Sequence, residues 1–276
     1  MYDSFQADRL IDLWLTEDVG ACDLTAQLMI DEDAVSTFHM VAREPMIVAG
    51  IAIAQRVFER YDSRLKVEVF VKDGQSVSKG DKLLTVSGPA RSIVTGERPA
   101  LNILQRLCGI ASETARYCKE IEGTSARLID TRKTTPGLRM LEKHAVTCGG
   151  GLNHRLGLDN GVMLKDNHIA IAGSIAKAVE RVRKSLPVLT KIEVECDRLD
   201  QVSEALAAGA DVIMLDNMSL DDMRTAVKTV NGAAKVEASG GINIKTIRDV
   251  ALTGVDYIST SKITQAAPAV DIGLDE

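Results

Sequence analysis

KIEVECDRLDQVSEALAAGADVIMLDN, Lys191 to Asn217, decides the fold. It opens on a short apolar run, Lys191–Val194, passes through a stretch of helical spacing, Leu199–Ala208, and returns to a second apolar run, Asp211–Leu215. A helix between two short, nearly all-apolar strands is the signature of a parallel βα unit covered on both faces. Working outward, the unit recurs. Apolar runs stand at Ala126–Ile129, Gly161–Leu164, Lys235–Ala238 and Val255–Ile258, with helical stretches at Ile175–Leu186, Leu220–Val230 and Ile244–Thr253. Six runs in succession predict a barrel of parallel strands.

Each run ends in polar residues: Asp130-Thr131-Arg132-Lys133, Lys165-Asp166-Asn167-His168, Glu195, Asp216-Asn217, Ser239-Gly240-Gly241 and Ser259-Thr260-Ser261-Lys262. In a βα barrel the C-terminal strand ends converge on one mouth, where the active site is built. Residues 127–168 hold seven Lys and Arg against four Asp and Glu, a local excess of three in a chain of net charge −6. That balance points to a small anionic ligand, for which arginine supplies a planar fork and lysine a compact charge. Strict alternation puts Glu193 and Glu195 on one face of their strand, where buried carboxylates need cations or a metal. Glu195 and Asp216 suit Mg²⁺ held partly through water. Ser239-Gly240-Gly241, ahead of the helix expected at Ile244, offers backbone amides to a phosphate. The mouth is thus expected to take a phosphorylated and a carboxylated compound.

The first hundred residues have a different rhythm. A helix is expected over Phe5–Glu17, and strands over Thr37–Arg43, Leu65–Val71 and Lys82–Ser87. The text between Tyr61 and Gly88 is similar to a lipoyl or biotinyl carrier hairpin but lacks the modifiable lysine, so a structural sandwich is expected. A long helix follows over Pro99–Ile121, with Pro99 placed in its first turn, where proline is tolerated. Aromatic residues are only 3% of the chain, so the core must be aliphatic. The acidic net charge argues against a nucleic-acid or anionic-membrane surface. Five cysteines, odd in number and without a CxxC pair, read as reduced thiols of a cytoplasmic protein. No secretory signal is visible, and the longest apolar run, Met46–Ala54, is too short to span a bilayer.

DTRKTTPGLRMLEKHAVTCGGGLNHRLGL (residues 130–158) and GVMLKDNHI (161–169) closely resemble the central block of the quinolinate phosphoribosyltransferase family. GERPALNILQRLCGIA, KIEVEC, GADVIMLDN, VEASGGI and GVDYIS extend the resemblance over most of the chain. It implies an N-terminal α/β sandwich domain over residues 1–110, with the C-terminal tail packing back on it. An open seven-stranded α/β barrel over 111–276 follows. It also implies a homodimer, able to assemble further into a hexamer, in which Arg98 enters the partner's site. Arg132, His154, Arg155 and Lys165 would embrace the two quinolinate carboxylates, with Thr131 and Lys133 beside them. Arg98, Lys133 and Lys165 carry the catalytic expectation. Glu195 and Asp216 would position Mg²⁺ and the ribose hydroxyls of phosphoribosyl pyrophosphate. Ser239, Gly240, Gly241, Ser259, Thr260 and Ser261 would take its 5′-phosphate.

The implied reaction is a pentosyl transfer in NAD biosynthesis. The pyridine nitrogen attacks ribose C1, pyrophosphate departs, and the C2 carboxylate leaves as CO₂ to give nicotinate mononucleotide. No protein nucleophile is needed, and Cys148 reads as packing. The chain departs from the family pattern at Leu152, where GGxHNHR has become GGLNHR. It departs again at Ser261 and Gln265, which replace a glycine and a histidine, with Lys262 as a compensating cation. The rival readings are a same-fold paralogue acting on another carboxylated substrate and a Schiff-base aldolase using Lys165.

Overall fold

The structure, a computed structural model, describes residues 3–276. From the N-terminus run α1 (Ser4–Val19), α2 (Leu24–Met29), β1 (Val35–Ala42), β2 (Met46–Ile47), α3 (Ile51–Tyr61), β3 (Lys66–Val69), β4 (Ser76–Val77) and β5 (Lys82–Pro89). The 31-residue helix α4 (Ala90–Glu120) leads to β6 (Arg127–Ile129), α5 (Arg139–Cys148), β7 (Val162–Leu164), α6 (Asp166–Ala172) and α7 (Ile175–Arg183). Then follow β8 (Ile192–Cys196), α8 (Leu199–Ala207), β9 (Val212–Asp216), α9 (Leu220–Val230), β10 (Lys235–Ser239), α10 (Ile247–Ala251), β11 (Tyr257–Ser259) and β12 (Ile272–Asp275).

These elements form two compact units. The first takes the chain up to Ala115, then Thr135–Gly150 and Ala266–Glu276; the second takes Arg116–Thr134 and Gly151–Gln265. Residue 110, the expected boundary, lies within α4.

The first unit is built on a four-stranded antiparallel sheet of order β12-β1-β5-β3. The carrier-like text is two strands of this sheet, β3 and β5, paired from Lys66↔Ser87 to Val69↔Leu84. The C-terminal strand completes the far edge, from His39↔Asp275 to Ala42↔Ile272. Helix α3 buries Ile51, Ile53, Ala54, Val57 and Phe58. Ile51, Ala54, Val57 and Phe58 join Met40, Leu83, Leu84, Val86, Ile93 and Leu104 in a largely aliphatic core. Each such side chain contributes about 1.5–3 kcal/mol on burial. Helices α1 and α2 start at Asp3 and Asp23, whose carboxylates accept the amides of Phe5 and Ala26. Gly50, at φ +85, opens α3; a Cβ there would lie 2.5 Å from Leu107 Cδ1. Pro99 departs from expectation. The helix begins nine residues earlier, so Pro99 lies in its interior. Ala90–Arg98 carries the helix through a position that normally breaks one.

The second unit is a parallel sheet of order β6-β11-β10-β9-β8-β7. A parallel bridge, Ile129↔Leu152, adds a seventh strand position beside β6. Among the described residues no ladder joins Leu152 to β7, so the barrel is open. Ile192, Val194 and Cys196 are buried on one face of β8, Glu193 on the other, as expected for strands covered on both sides. The helix expected from Ile244 begins only at Ile247, after a turn. Helix α6, directly after Lys165, was not foreseen. Its first turn is capped by a side chain, His168 Nδ1 accepting the Lys165 amide at 3.0 Å. Among the described residues no helix is long and apolar enough to cross a membrane.

Candidate active site

Strand register decides which side chains share the barrel face. Glu195 pairs with Met214, Met214 with Glu237 and Glu237 with Tyr257; two residues on, Asp216 pairs with Ser239. Because alternate residues point the same way, Glu193, Glu195, Asp216, Glu237, Ser239 and Ser259 lie on one face. At its C-terminal edge the Lys165 ammonium donates to the Glu195 carboxylate. Asp216 accepts from Asn217 Nδ2 at 2.8 Å.

The loop after β6 is tied at both ends. Asp130 is fully buried; one carboxylate oxygen accepts the His154 amide and the other Asn153 Nδ2, both at 2.8 Å. The Thr131 hydroxyl accepts the Lys133 amide, and Thr264 donates to the Lys133 carbonyl at 2.9 Å. The Asn153-His154 segment is thereby fastened to Asp130, at the end of β6. Arg155 donates to the Gly161 carbonyl at 3.0 Å. Burial holds Arg155 below the ordinary guanidinium range, and Arg132 beside it depresses it further. Glu193 acts the other way and partly offsets this.

His154 is turned into the barrel. Its Nε2 lies 2.9 Å from Glu193 and 3.4 Å from Glu237, both buried. Burial alone would lower its pKa, but the two carboxylates outweigh that and raise it. Burial raises the Glu237 carboxyl in turn, with Glu193 adding to it. The Arg155 amide donates to Nδ1 at 2.8 Å, which favours a ring protonated at Nε2 alone. The geometry therefore sets the neutral tautomer against the field of the carboxylates. His154, Glu193 and Glu237 share their protons through these contacts, and Glu237 is the carboxyl most prone to hold one. A metal at Nε2 would need the proton on Nδ1, which the Arg155 amide opposes. These three residues are better read as a hydrogen-bonded cluster than as a metal centre.

A cavity of about 280 Å³ adjoins this cluster, lined also by Val162, Lys191, Val212 and Tyr257. Those four stand at the N-terminal ends of their strands, opposite the polar mouth. The mouth, with its charged strand ends, is the candidate active site, because binding in this fold gathers at the C-terminal ends.

The phosphate-type turn is tightly built. Gly240 has φ +94, and a Cβ on it would meet Asn217 Oδ1 at 2.3 Å and Asn217 N at 2.8 Å, so only glycine fits. Helix α10 begins at Ile247 rather than at the expected Ile244, and spans only five residues, so a helix terminus is not what this turn presents. Ser259 and Thr260 are buried, and the Thr260 hydroxyl donates to the Ile242 carbonyl at 3.0 Å, joining the two turns. The Ser261 carbonyl accepts the amides of Thr264 and Gln265. Arg98 belongs to the first unit; its side chain is 56% exposed, with Glu97 at 3.7 Å.

Sequence reasoning missed Asp130, Glu237 and Thr264 as parts of this construction. Glu237 carried a legible signal, a lone acid inside the apolar run Lys235–Ala238, the same mark that singled out Glu193. Asp130 and Thr264 carried none, because their partners lie 23 and 131 residues away.

Comparison with known proteins matches residues 23–108 to the N-terminal domain and residues 110–275 to the C-terminal domain of quinolinate phosphoribosyl transferase. The chain is 43% identical to the probable nicotinate-nucleotide pyrophosphorylase [carboxylating] of Synechocystis sp., over 97% of this chain and 91% of that protein. Its fold is similar to the crystal structure of NadC from Streptococcus pyogenes, with TM-score 0.96 and 39% identity over 100% of this chain and 98% of that one. It is similar also to nicotinate-nucleotide pyrophosphorylase from Ehrlichia chaffeensis, with TM-score 0.94 and 42% identity over 100% and 99%.

Proposed function

The chain belongs to the quinolinate phosphoribosyltransferase family, and from that premise we propose how its barrel mouth performs the reaction. The enzyme transfers phosphoribosyl from phosphoribosyl pyrophosphate to quinolinate with loss of CO₂, a step of NAD biosynthesis. The observation that carries the assignment of parts is the cation corner. Arg132 lies near enough to Arg155 to depress it, and Lys165 pairs with Glu195 at the mouth, a set of cations suited to a substrate with two adjacent carboxylates. Lys133, exposed after the same strand, reaches toward the departing pyrophosphate. His154 has both ring nitrogens engaged, so it serves by holding the Asn153–Arg155 segment rather than as a direct carboxylate ligand.

Glu195 and Asp216 supply hard oxygen donors on one face at adjacent strand ends, and that donor set fits Mg²⁺. When bound there, Mg²⁺ would neutralise charge on the pyrophosphate. The chain's own part is to keep the two carboxylates turned inward, with Lys165 as the counter-charge of Glu195. The 5′-phosphate is assigned to turn amides at Ser239–Gly241 and to the Ser259–Ser261 turn.

Arg98 is proposed to act in a partner's site within a homodimer, and dimers to assemble into a hexamer. Its exposure in the single chain supports this, as do Phe5, Leu13, Leu24, Leu28, Met29 and Val35, all exposed on or beside α1 and α2. We place the protein in the cytoplasm on its five free thiols, two of them buried. The aldolase reading finds no support. It needs a desolvated free amine at Lys165, and that amine instead lies in an ion pair.

The test is direct. Protein supplied with quinolinate, phosphoribosyl pyrophosphate and Mg²⁺ releases CO₂ and pyrophosphate in equal amounts and forms nicotinate mononucleotide. Turnover of nicotinate in place of quinolinate would overturn the assignment.

A further inference from the structure

Three side chains of the first unit that the reaction does not use converge on one point. His144 and Cys148 stand one turn apart on α5, and Asp73 comes from the turn between β3 and β4. His144 Nε2 lies 2.6 Å from Asp73 Oδ2 and 3.5 Å from Cys148 Sγ. The three ligand-type atoms all lie within 4.8 Å of one another.

We propose that Asp73, His144 and Cys148 form a binding site for a zinc-class divalent ion, separate in purpose from the Mg²⁺ chemistry of the reaction. The donor set is the first argument. Thiolate, imidazole and a single carboxylate make a mixed S, N, O set, which selects zinc-like ions over Mg²⁺ or Ca²⁺. Spacing is the second. Ligands four residues apart on a helix face the same side, the spacing by which helices present paired metal ligands. The third is geometric. Zn–S of about 2.3 Å and Zn–N of about 2.0–2.1 Å at a tetrahedral angle put S and N roughly 3.5 Å apart, the separation found between Cys148 and His144. The Asp73 oxygen would move outward by about 0.7 Å to reach its own tetrahedral edge, replacing its hydrogen bond to the imidazole.

Asp73 is already held for this task. Its Oδ1 accepts the amides of Gly50 and Ile51 at 2.9 and 3.1 Å, capping α3 and leaving Oδ2 turned to His144. His144 and Asp73 are 18% and 22% exposed, enough for an ion to enter and for water to complete a fourth position. The thiol proton leaves to solvent as the metal–sulfur bond forms, one proton per ion. Bound there, the ion would tie the N-terminus of α3 to α5.

Cobalt(II) is the probe, titrated into reduced, chelator-treated full-length protein. The expected result is a near-ultraviolet thiolate charge-transfer band that saturates at one equivalent, with visible bands of tetrahedral strength, both bleached by equimolar Zn²⁺ and untouched by Mg²⁺. Cys148→Ser should lose the thiolate band, His144→Gln should weaken binding at least tenfold, and Cys118→Ser should change neither. If the variants fold poorly, the wild-type chain answers the question through alkylation. Saturating Zn²⁺ should slow iodoacetamide modification of Cys148, read by peptide mass, relative to Cys22 and Cys118. Absence of a thiolate band, a band that survives Cys148→Ser, or unchanged alkylation of Cys148 would each overturn the site. None of these readouts depends on transferase activity, so the function assigned to the barrel stands or falls separately.

Discussion

Asp130→Asn keeps the shape of a fully buried carboxylate and removes its charge, which makes it the sharpest probe of how the mouth is held together. Asp130 accepts two hydrogen bonds of 2.8 Å, from the His154 amide and from Asn153 Nδ2. An asparagine can accept one of them but turns an N–H₂ toward the other donor. Hydrogen bonds to a charged acceptor contribute about 1.5–3 kcal/mol each, and a buried donor left facing another donor adds its desolvation cost. Losing one such bond and weakening the other gives about 2–4 kcal/mol. Because Arg155 follows directly on this segment, the loosening reaches the cation corner. At about 1.4 kcal/mol per tenfold, kcat/KM for quinolinate should fall between roughly 30-fold and several hundredfold. Two assays read the outcome: urea unfolding, where the midpoint should drop at constant m-value, and CO₂ release at varied quinolinate concentration. A variant with unchanged midpoint and unchanged kcat/KM would refute the reasoning, since Asp130 would then not be fastening the segment.

Further consequences follow from other parts of the structure. Gly240→Ala must push its Cβ against Asn217 N from a left-handed backbone. It should cost 1 kcal/mol or more, on the order of the strain for a non-glycine residue there, and raise KM for phosphoribosyl pyrophosphate more than for quinolinate. Glu237 has a folded-state pKa raised above its unfolded value, first by burial, so the native state holds the proton longer than the unfolded chain does. Its contribution is therefore present at low pH and is lost as pH rises from the ordinary carboxylate range through the raised value. Glu237→Gln should flatten that part of the stability-versus-pH curve, and unfolding midpoints with parallel slopes would count against it. An Arg98→Ala chain mixed with an Arg132→Ala chain should regain about a quarter of wild-type activity, because half the dimers are hybrids with one intact site each. No recovery after subunit exchange would remove Arg98 from the partner's site.

Much of the barrel could be read from the chain. A strand buried on both faces must be nearly all apolar, so Lys191–Val194, Asp211–Leu215 and Lys235–Ala238 mark themselves, and β8, β9 and β10 overlap each of them. Polar residues immediately beyond such runs, at Lys165, Glu195, Asp216 and Ser239, could also be read, because solvation allows charge only where a strand leaves the core. Short two-residue strands and helices without strong periodicity, α2, α5 and α6, could not. Their stability comes from packing and caps, as with Asp23 for α2 and His168 for α6, rather than from local propensity.

What the sequence by itself determined is therefore the layer order, the strand ends and the residue types available at the mouth, all consequences of periodicity and of where charge can be hydrated. The tertiary structure alone decided the pairings. It turned His154 inward to Glu193 and Glu237 and fastened Asn153 to Asp130. It closed Gly240 onto Asn217 and brought Asp73 to His144 across 71 residues of chain. Those contacts depend on strand register and on the path of the backbone in space, and neither is encoded in the spacing of any one segment.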